Sequence, residues 1–211
     1  VATEEPVGSK AIAERHGLTP AHVMTGAGSA EVLNCAIAAH GAGGEALGSD
    51  LTFDPPLQWA DGKGVTVRRV PLAADMGIDL SAMAAAVGPQ TRVVHVCNPN
   101  NPTGMLLDPA ALRRFAAQVM PRAVLVLDEA YNELTDDPTA NTLVDRVRAG
   151  DNLIVARTFS KVYGLAGMRV GYAMGRPDLI ARMEPWGMSF GGNTAGIAAA
   201  MAITGRLWLG G

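Results

Sequence analysis

Lys161 is the residue of this sequence whose placement most needs a reason. It closes the run RTFSK, and the same stretch continues through two glycines, Gly164 and Gly167, to Arg169. A lysine on a loop is ordinarily a solvated surface charge. The same amine becomes a nucleophile or a proton carrier when it is available in the neutral form. An arginine nearby can grip an anion with two parallel hydrogen bonds, which lysine cannot do. Three other clusters carry comparable potential. NPNNPTG (Asn98 to Gly104) offers amides, and DEAY (Asp128 to Tyr131) offers a carboxylate and a phenol. The glycine-containing turn Gly26 to Ser29, in TGAGSAE, opens a helix that should run to about His40. Unbonded N–H groups and the positive end of the helix dipole suit such a turn to a phosphate.

Each cluster has an ordinary reading as well. Asn-Pro and Pro-Thr-Gly are turn dipeptides, and an aspartate after a strand is often a helix cap or a surface charge. The turn before Ser29 is also what any glycine-preceded helix start looks like. It lacks the third glycine of a dinucleotide fingerprint, and no clear strand leads into it.

The elements that must position these residues alternate along the chain. Short apolar runs, Val65 to Val70, Val93 to Cys97, Ala123 to Leu127, Leu153 to Ala156 and Val170 to Met174, read as strands. VVHV and AVLVL show no polar alternation, as expected of strands covered on both faces. Helical patterns lie between them at Leu80 to Val87 and Pro109 to Met120, the latter with Asp108 as N-cap and Pro109 at its first position. The expected fold is therefore α/β: one three-layer, doubly wound, mostly parallel sheet with helices on both faces. In such a sheet ligands sit beyond the carboxyl ends of the strands. There the sequence puts its polar clusters: VVHVC runs into NPNNPTG, AVLVL into DEAY, and LIVAR into TFSK. The coincidence of three clusters at corresponding strand ends favours a site over three unrelated loops.

Composition narrows the choices further. With 48% hydrophobic and 18% charged residues the 211-residue chain can bury a substantial core. A net charge of −3, with both signs interspersed, gives no footprint for nucleic acid or an anionic membrane surface. The longest smooth apolar run, Ala195 to Ile203, is too short to span a bilayer. No signal-peptide order is visible, although the chain opens on Val1, so a cytoplasmic location is expected and a removed targeting segment stays open. Cys35 and Cys97 read as buried thiols, and His16, His22, His40 and His95 lack metal-ligand spacing. No metal site is expected.

Taken in order, GAGSAE, CNPNNPTG, LDEAY and TFSKVYGLAGMRVGY resemble the fold type I pyridoxal-phosphate aminotransferases of class I/II. They are most similar to the branch that includes histidinol-phosphate aminotransferase. The resemblance runs from about Ile12 to about Ile203. It implies pyridoxal 5'-phosphate as cofactor, with Lys161 forming the Schiff base, the internal aldimine. It implies Asp128 as the partner of the pyridine nitrogen, which keeps the ring protonated and able to take up electrons. By the same resemblance Tyr131 and Asn101 bond the cofactor's phenolic oxygen. Gly28, Ser29 and Ala30 form the phosphate turn, and Thr158, Ser160 and Arg169 complete the phosphate cup. Phe53 stands where the family stacks an aromatic ring, with an ordinary core phenylalanine as the alternative.

The pattern departs from the family at both ends. Neither an N-terminal arm nor a C-terminal small domain is evident; Val1 to Lys10 reads as an irregular approach to the first helix, and the segment after Ile203 resembles no family element. Residues 1–211 thus read as the cofactor-binding large domain. GGEALGSDLTF also departs, because its glycines should weaken the strand that the family keeps there. The activity implied is transamination between an amino acid, or a histidinol-phosphate-like amine, and a 2-oxo acid. The alternatives are decarboxylase, lyase or racemase chemistry on the same fold, or a truncated cofactor-binding homologue without turnover. A two-fold homodimer is expected, with Trp186 to Asn193 as a surface near both site and interface.

Overall fold

The computed structural model describes residues 7–188 and 193–208. Seven strands form one sheet: β1 (Val23–Gly26), β2 (Glu45–Ser49), β3 (Thr66–Val70), β4 (Thr91–Cys97), β5 (Val124–Asp128), β6 (Leu153–Thr158) and β7 (Gly171–Gly175). Their order is β1-β7-β6-β5-β4-β2-β3. Pairing is parallel throughout β3-β2-β4-β5-β6, and β7 alone runs against its neighbours, β6 and β1. The expected mostly parallel sheet is what the chain forms.

Burial alternates by strand position, which separates two cores. Val94, Val96, Leu125, Leu127, Leu153 and Val155 point to one. Val93, Val126, Ile154 and Ala156 point to the other. Helices α1 (Val7–His16), α4 (Leu80–Ala86), α5 (Pro109–Val119), α6 (Val144–Arg148) and α8 (Thr194–Trp208) cover the first core. Helices α2 (Ser29–Gly41), α3 (Pro55–Asp61) and α7 (Pro177–Met183) cover the second. Three layers result. The start of α5 is fixed as expected, with Asp108 Oδ1 accepting from the Ala111 N–H at 2.7 Å and Pro109 at the first helical position.

Three expectations need correction. A strand, β1, does lead into the Gly26–Ser29 turn; it is only four residues long, with Met24 and Thr25 half-buried, so it carries little apolar signal. The glycine-rich stretch after Gly43 does form β2, which sits inside the sheet between β4 and β3. Gly48 packs closely against α3 there: a Cβ would lie 2.6 Å from Leu57 Cδ1, so a larger residue requires the Leu57 side chain to shift. The irregular approach to the first helix ends earlier than Lys10, since α1 begins at Val7. The segment Trp186 to Asn193 is described only in part, and residues 189–192 lie outside the described residues.

The histidines give this core an acid limit. His95 is 1% exposed, and neither ring nitrogen has a hydrogen-bond partner among the described residues. Burial lowers its pKa from 6.5 to about 4, lowers that of His40 to about 4, and, with Arg157 next in importance, lowers that of His16 to about 3. Each of these groups is held neutral when folded, so the unfolded chain binds more protons below pH 6.5. The histidines' contribution to stability is therefore flat above pH 6.5 and falls as pH drops from there towards 4, with buried Asp128, whose pKa is raised to about 6, offsetting part of the fall. A shift of this size is worth about 3 kcal/mol at its full extent. Urea unfolding as a function of pH should show this decline, and His95→Leu should lessen it; an unchanged slope in that variant would contradict the assignment.

Candidate active site

The carboxyl ends of β4, β5 and β6 and the turn after β1 surround one open cleft. Ser29, Ala30, Phe53, Asn101, Asp128, Tyr131, Thr158, Ser160, Lys161 and Arg169 line it, together with Ala130. Its empty space, part of it open to solvent, is about 440 Å³. Every expected site residue except Gly28 reaches this lining, and Gly28 stands directly behind it. Residues from five separate segments thus converge.

Asp128 ends β5 and is 2% exposed. Its Oδ1 accepts from the Ala130 N–H at 3.1 Å, and the Cys97 thiol lies 3.8 Å from Oδ2. Burial is the main cause that raises its pKa to about 6. The Ala130 N–H and the Cys97 thiol favour the ionised form, the neighbouring Glu129 opposes it, and Lys161 makes the smallest favourable contribution. The carboxylate is therefore mainly ionised at neutral pH, with little solvent to satisfy it. Such a group suits a cationic N–H donor.

Lys161 follows β6 by three residues, in an exposed turn. Its Nζ lies 4.9 Å from the Tyr131 ring centroid, a cation–π contact. Among the described residues it joins no ion pair.

The remaining wall is built for an anion. Gly28 caps α2 at φ 82°, and the first N–H groups of a helix have no partner within it. Arg169 stands over this turn: its Nη2 donates to the Ala27 carbonyl at 3.1 Å, and its Nη1 donates to Ser160 Oγ at 3.2 Å and to the Ala166 carbonyl at 3.0 Å. A Cβ on Gly28 would lie 2.3 Å from Arg169 Nη2, so only glycine admits the guanidinium here. Thr158 Oγ1 accepts from the Ser160 N–H at 3.1 Å and holds that loop against the end of β6. The Pro-rich loop is fixed from outside the cleft: Asn100 accepts from Thr52 Oγ1 at 2.8 Å and donates to the Leu51 carbonyl at 3.1 Å. Asn101 is thereby left to face the cleft.

Two features escape a reading of the sequence. Gly171, in β7, packs against the turn so closely that a Cβ would lie 2.3 Å from both Gly28 C and Ser29 N. Gly171→Ala must displace backbone, at a cost of about 1–3 kcal/mol. The expected outcome is a modest loss in urea midpoint with a disproportionate loss of affinity for phosphate-bearing ligands, read by titration. Wild-type affinity in that variant would show that the turn is not the anion site. The second feature is the ion pair of Arg157 with Glu129, 2.7 Å apart beneath the cleft. Both residues sit inside the quoted motifs, but nothing in the sequence pairs them.

Comparisons with known proteins point the same way. The family profile described as Aminotransferase class I and II matches residues 6–206. Aromatic amino acid aminotransferase of Mycobacteroides abscessus is 40% identical over 195 residues, covering 92% of this chain and 56% of that protein. Histidinol-phosphate aminotransferase 2 of Ralstonia nicotianae is 42% identical over 193 residues, covering 91% and 51% respectively. Among solved structures, histidinol-phosphate aminotransferase of Sinorhizobium meliloti in complex with pyridoxal-5'-phosphate superposes with a TM-score of 0.84 at 32% identity, over 96% of this chain and 55% of that one. The chain spans about half the length of these curated relatives.

Proposed function

We propose, from the premise that this chain belongs to the class I and II aminotransferase family, that residues 1–211 are the cofactor-binding large domain of a pyridoxal-phosphate-dependent aminotransferase. The observation that carries this reading is the convergence of a free amine, a buried carboxylate and an arginine-backed helix start on one cleft. Those three groups match the three polar ends of pyridoxal phosphate: an aldehyde, a ring nitrogen and a phosphate.

When bound, the cofactor supplies an aldehyde that takes up an amino group and a ring that accepts electrons. The chain does the rest. Lys161 Nζ would hold the cofactor covalently and is placed to move a proton at the substrate carbon. Asp128 would accept the ring N–H in a charge-assisted hydrogen bond, worth about 1.5–3 kcal/mol. The N–H groups of Ser29 and Ala30, the hydroxyls of Thr158 and Ser160 and the Arg169 guanidinium would hold the phosphate. Asn101 and the Tyr131 hydroxyl would orient the phenolic oxygen, and Phe53 would pack against the ring.

The amino donor is an amino acid or a histidinol-phosphate-like amine, and the acceptor is a 2-oxo acid, in keeping with the relatives' names. The test is a visible spectrum of protein loaded with pyridoxal phosphate, before and after a panel of aromatic, acidic and imidazole-bearing amines. Loss of the visible band with one donor, and its return with a 2-oxo acid, is the expected result. Release of carbon dioxide without amino transfer would replace this reading by decarboxylation. We further propose a two-fold homodimer, supported by large exposed apolar side chains such as Leu134, Trp186 and Met188; a monomer by light scattering at micromolar concentration, with cofactor bound, would refute it. A cytoplasmic setting is supported by two buried thiols, Cys35 and Cys97, that stay unbridged.

A further inference from the structure

The Arg157–Glu129 ion pair touches none of the chemistry proposed above, yet it lies directly beneath it. Alternation along extended chain turns Asp128 and Thr158 towards the cleft and their neighbours Glu129 and Arg157 to the opposite face. There Arg157 Nε and Nη2 donate to Glu129 Oε2 at 3.0 and 2.7 Å, and Nη2 donates to Thr142 Oγ1 at 3.0 Å. Glu129 also accepts from Thr142 Oγ1 at 2.9 Å and from the Leu143 N–H at 3.1 Å. Glu129 is wholly buried and the Arg157 side chain is 10% exposed. The backbone ladder between β5 and β6 gives out at this point: Asp128 pairs with Ala156, and the Glu129 N–H makes one last bond to the Ala156 carbonyl at 2.9 Å. Beyond it, among the described residues, only side chains join the two strand ends.

A buried ion pair adds little stability over apolar side chains of the same volume. Stability is thus a weak reason for its presence. We propose that Arg157 and Glu129 are positioning residues: their forked contact clamps the ends of β5 and β6 together and fixes the span between the Asp128 carboxylate and the Thr158–Lys161 turn. This rests on reading the cleft as the pyridoxal-phosphate site.

The test replaces the pair by apolar residues, Glu129→Leu with Arg157→Met, beside Arg157→Lys, which keeps the charge but not the fork. Three quantities are read: urea midpoint, hydrogen exchange of the Ala130 and Ser160 amides in unliganded protein, and pyridoxal-phosphate affinity. The expected apolar double variant keeps most of the wild-type midpoint, yet exchanges those amides at least about tenfold faster and binds at least about tenfold more weakly. Arg157→Lys should fall between. Wild-type exchange and affinity in the double variant would overturn the proposal, and if that variant fails to fold, wild-type values in Arg157→Lys would do the same. Wild-type protein that takes up no pyridoxal phosphate would instead sink the functional reading, while the exchange rates would still decide the clamp.

Discussion

Lys161→Ala should abolish covalent capture of pyridoxal phosphate while leaving the fold intact. The side chain is exposed and joins no ion pair among the described residues, so its loss removes no packing of consequence. The wild-type protein, treated with pyridoxal phosphate and borohydride, should carry a reduced adduct on Lys161 that peptide mass spectrometry can map. The chain contains only three lysines, Lys10, Lys63 and Lys161, so the mapping is unambiguous. Lys63 lies 5.4 Å from the Trp59 ring, remote from the cleft lining. An adduct on Lys10 or Lys63 would remove Lys161 from its proposed role. Turnover, where the wild type shows it, should fall below detection in the variant, because neither Asp128 nor Tyr131 can replace the amine as covalent holder.

The largest loss of stability should follow Arg157→Met alone. The substitution keeps most of the volume but strands the wholly buried Glu129 carboxylate without its cation. Breaking a buried pair from one side costs about 3–5 kcal/mol. Total stability of a domain is of order 5–15 kcal/mol, so the urea midpoint should fall markedly. Adding Glu129→Leu should recover most of it, because the unpaired charge is then gone. A single variant as stable as wild type would mean that water reaches the carboxylate, and would refute the stranded-charge argument; Glu133, 3.6 Å from Arg157 Nη1, is a second carboxylate and adds to the cost of losing the cation.

Much of the site is legible from the chain because parallel strands announce themselves. Apolar runs such as VLVL carry both faces of a buried strand, and the polar residues that follow must emerge at its carboxyl end. Asp128, Lys161 and the Asn98–Gly104 loop are found this way, whereas Asn101 within that loop and Arg169 are singled out by the family resemblance. The parts that stay hidden depend on tertiary neighbours. β1 is too short to show a period, and β2 contains Gly48, whose lack of a side chain makes sense only beside Leu57. Gly171 reads as an ordinary strand glycine until the turn at Gly28 is seen against it. The Arg157–Glu129 pair needs the register of Asp128 with Ala156, which no local pattern encodes.

The Arg169 contact with the Ala27 carbonyl joins residues 142 apart in sequence. A ribosome adds residues from the N-terminus at roughly 5–20 per second, so the helix start exists for several seconds before its arginine is made. A nascent chain that has reached Asp128 holds the proposed ring-nitrogen partner but neither Lys161 nor Arg169. On the function proposed here, cofactor is then unable to assist the folding of the early strands and binds only once the later ones are made. Stalled chains ending before Lys161 and after β7 should therefore differ sharply in pyridoxal-phosphate retention.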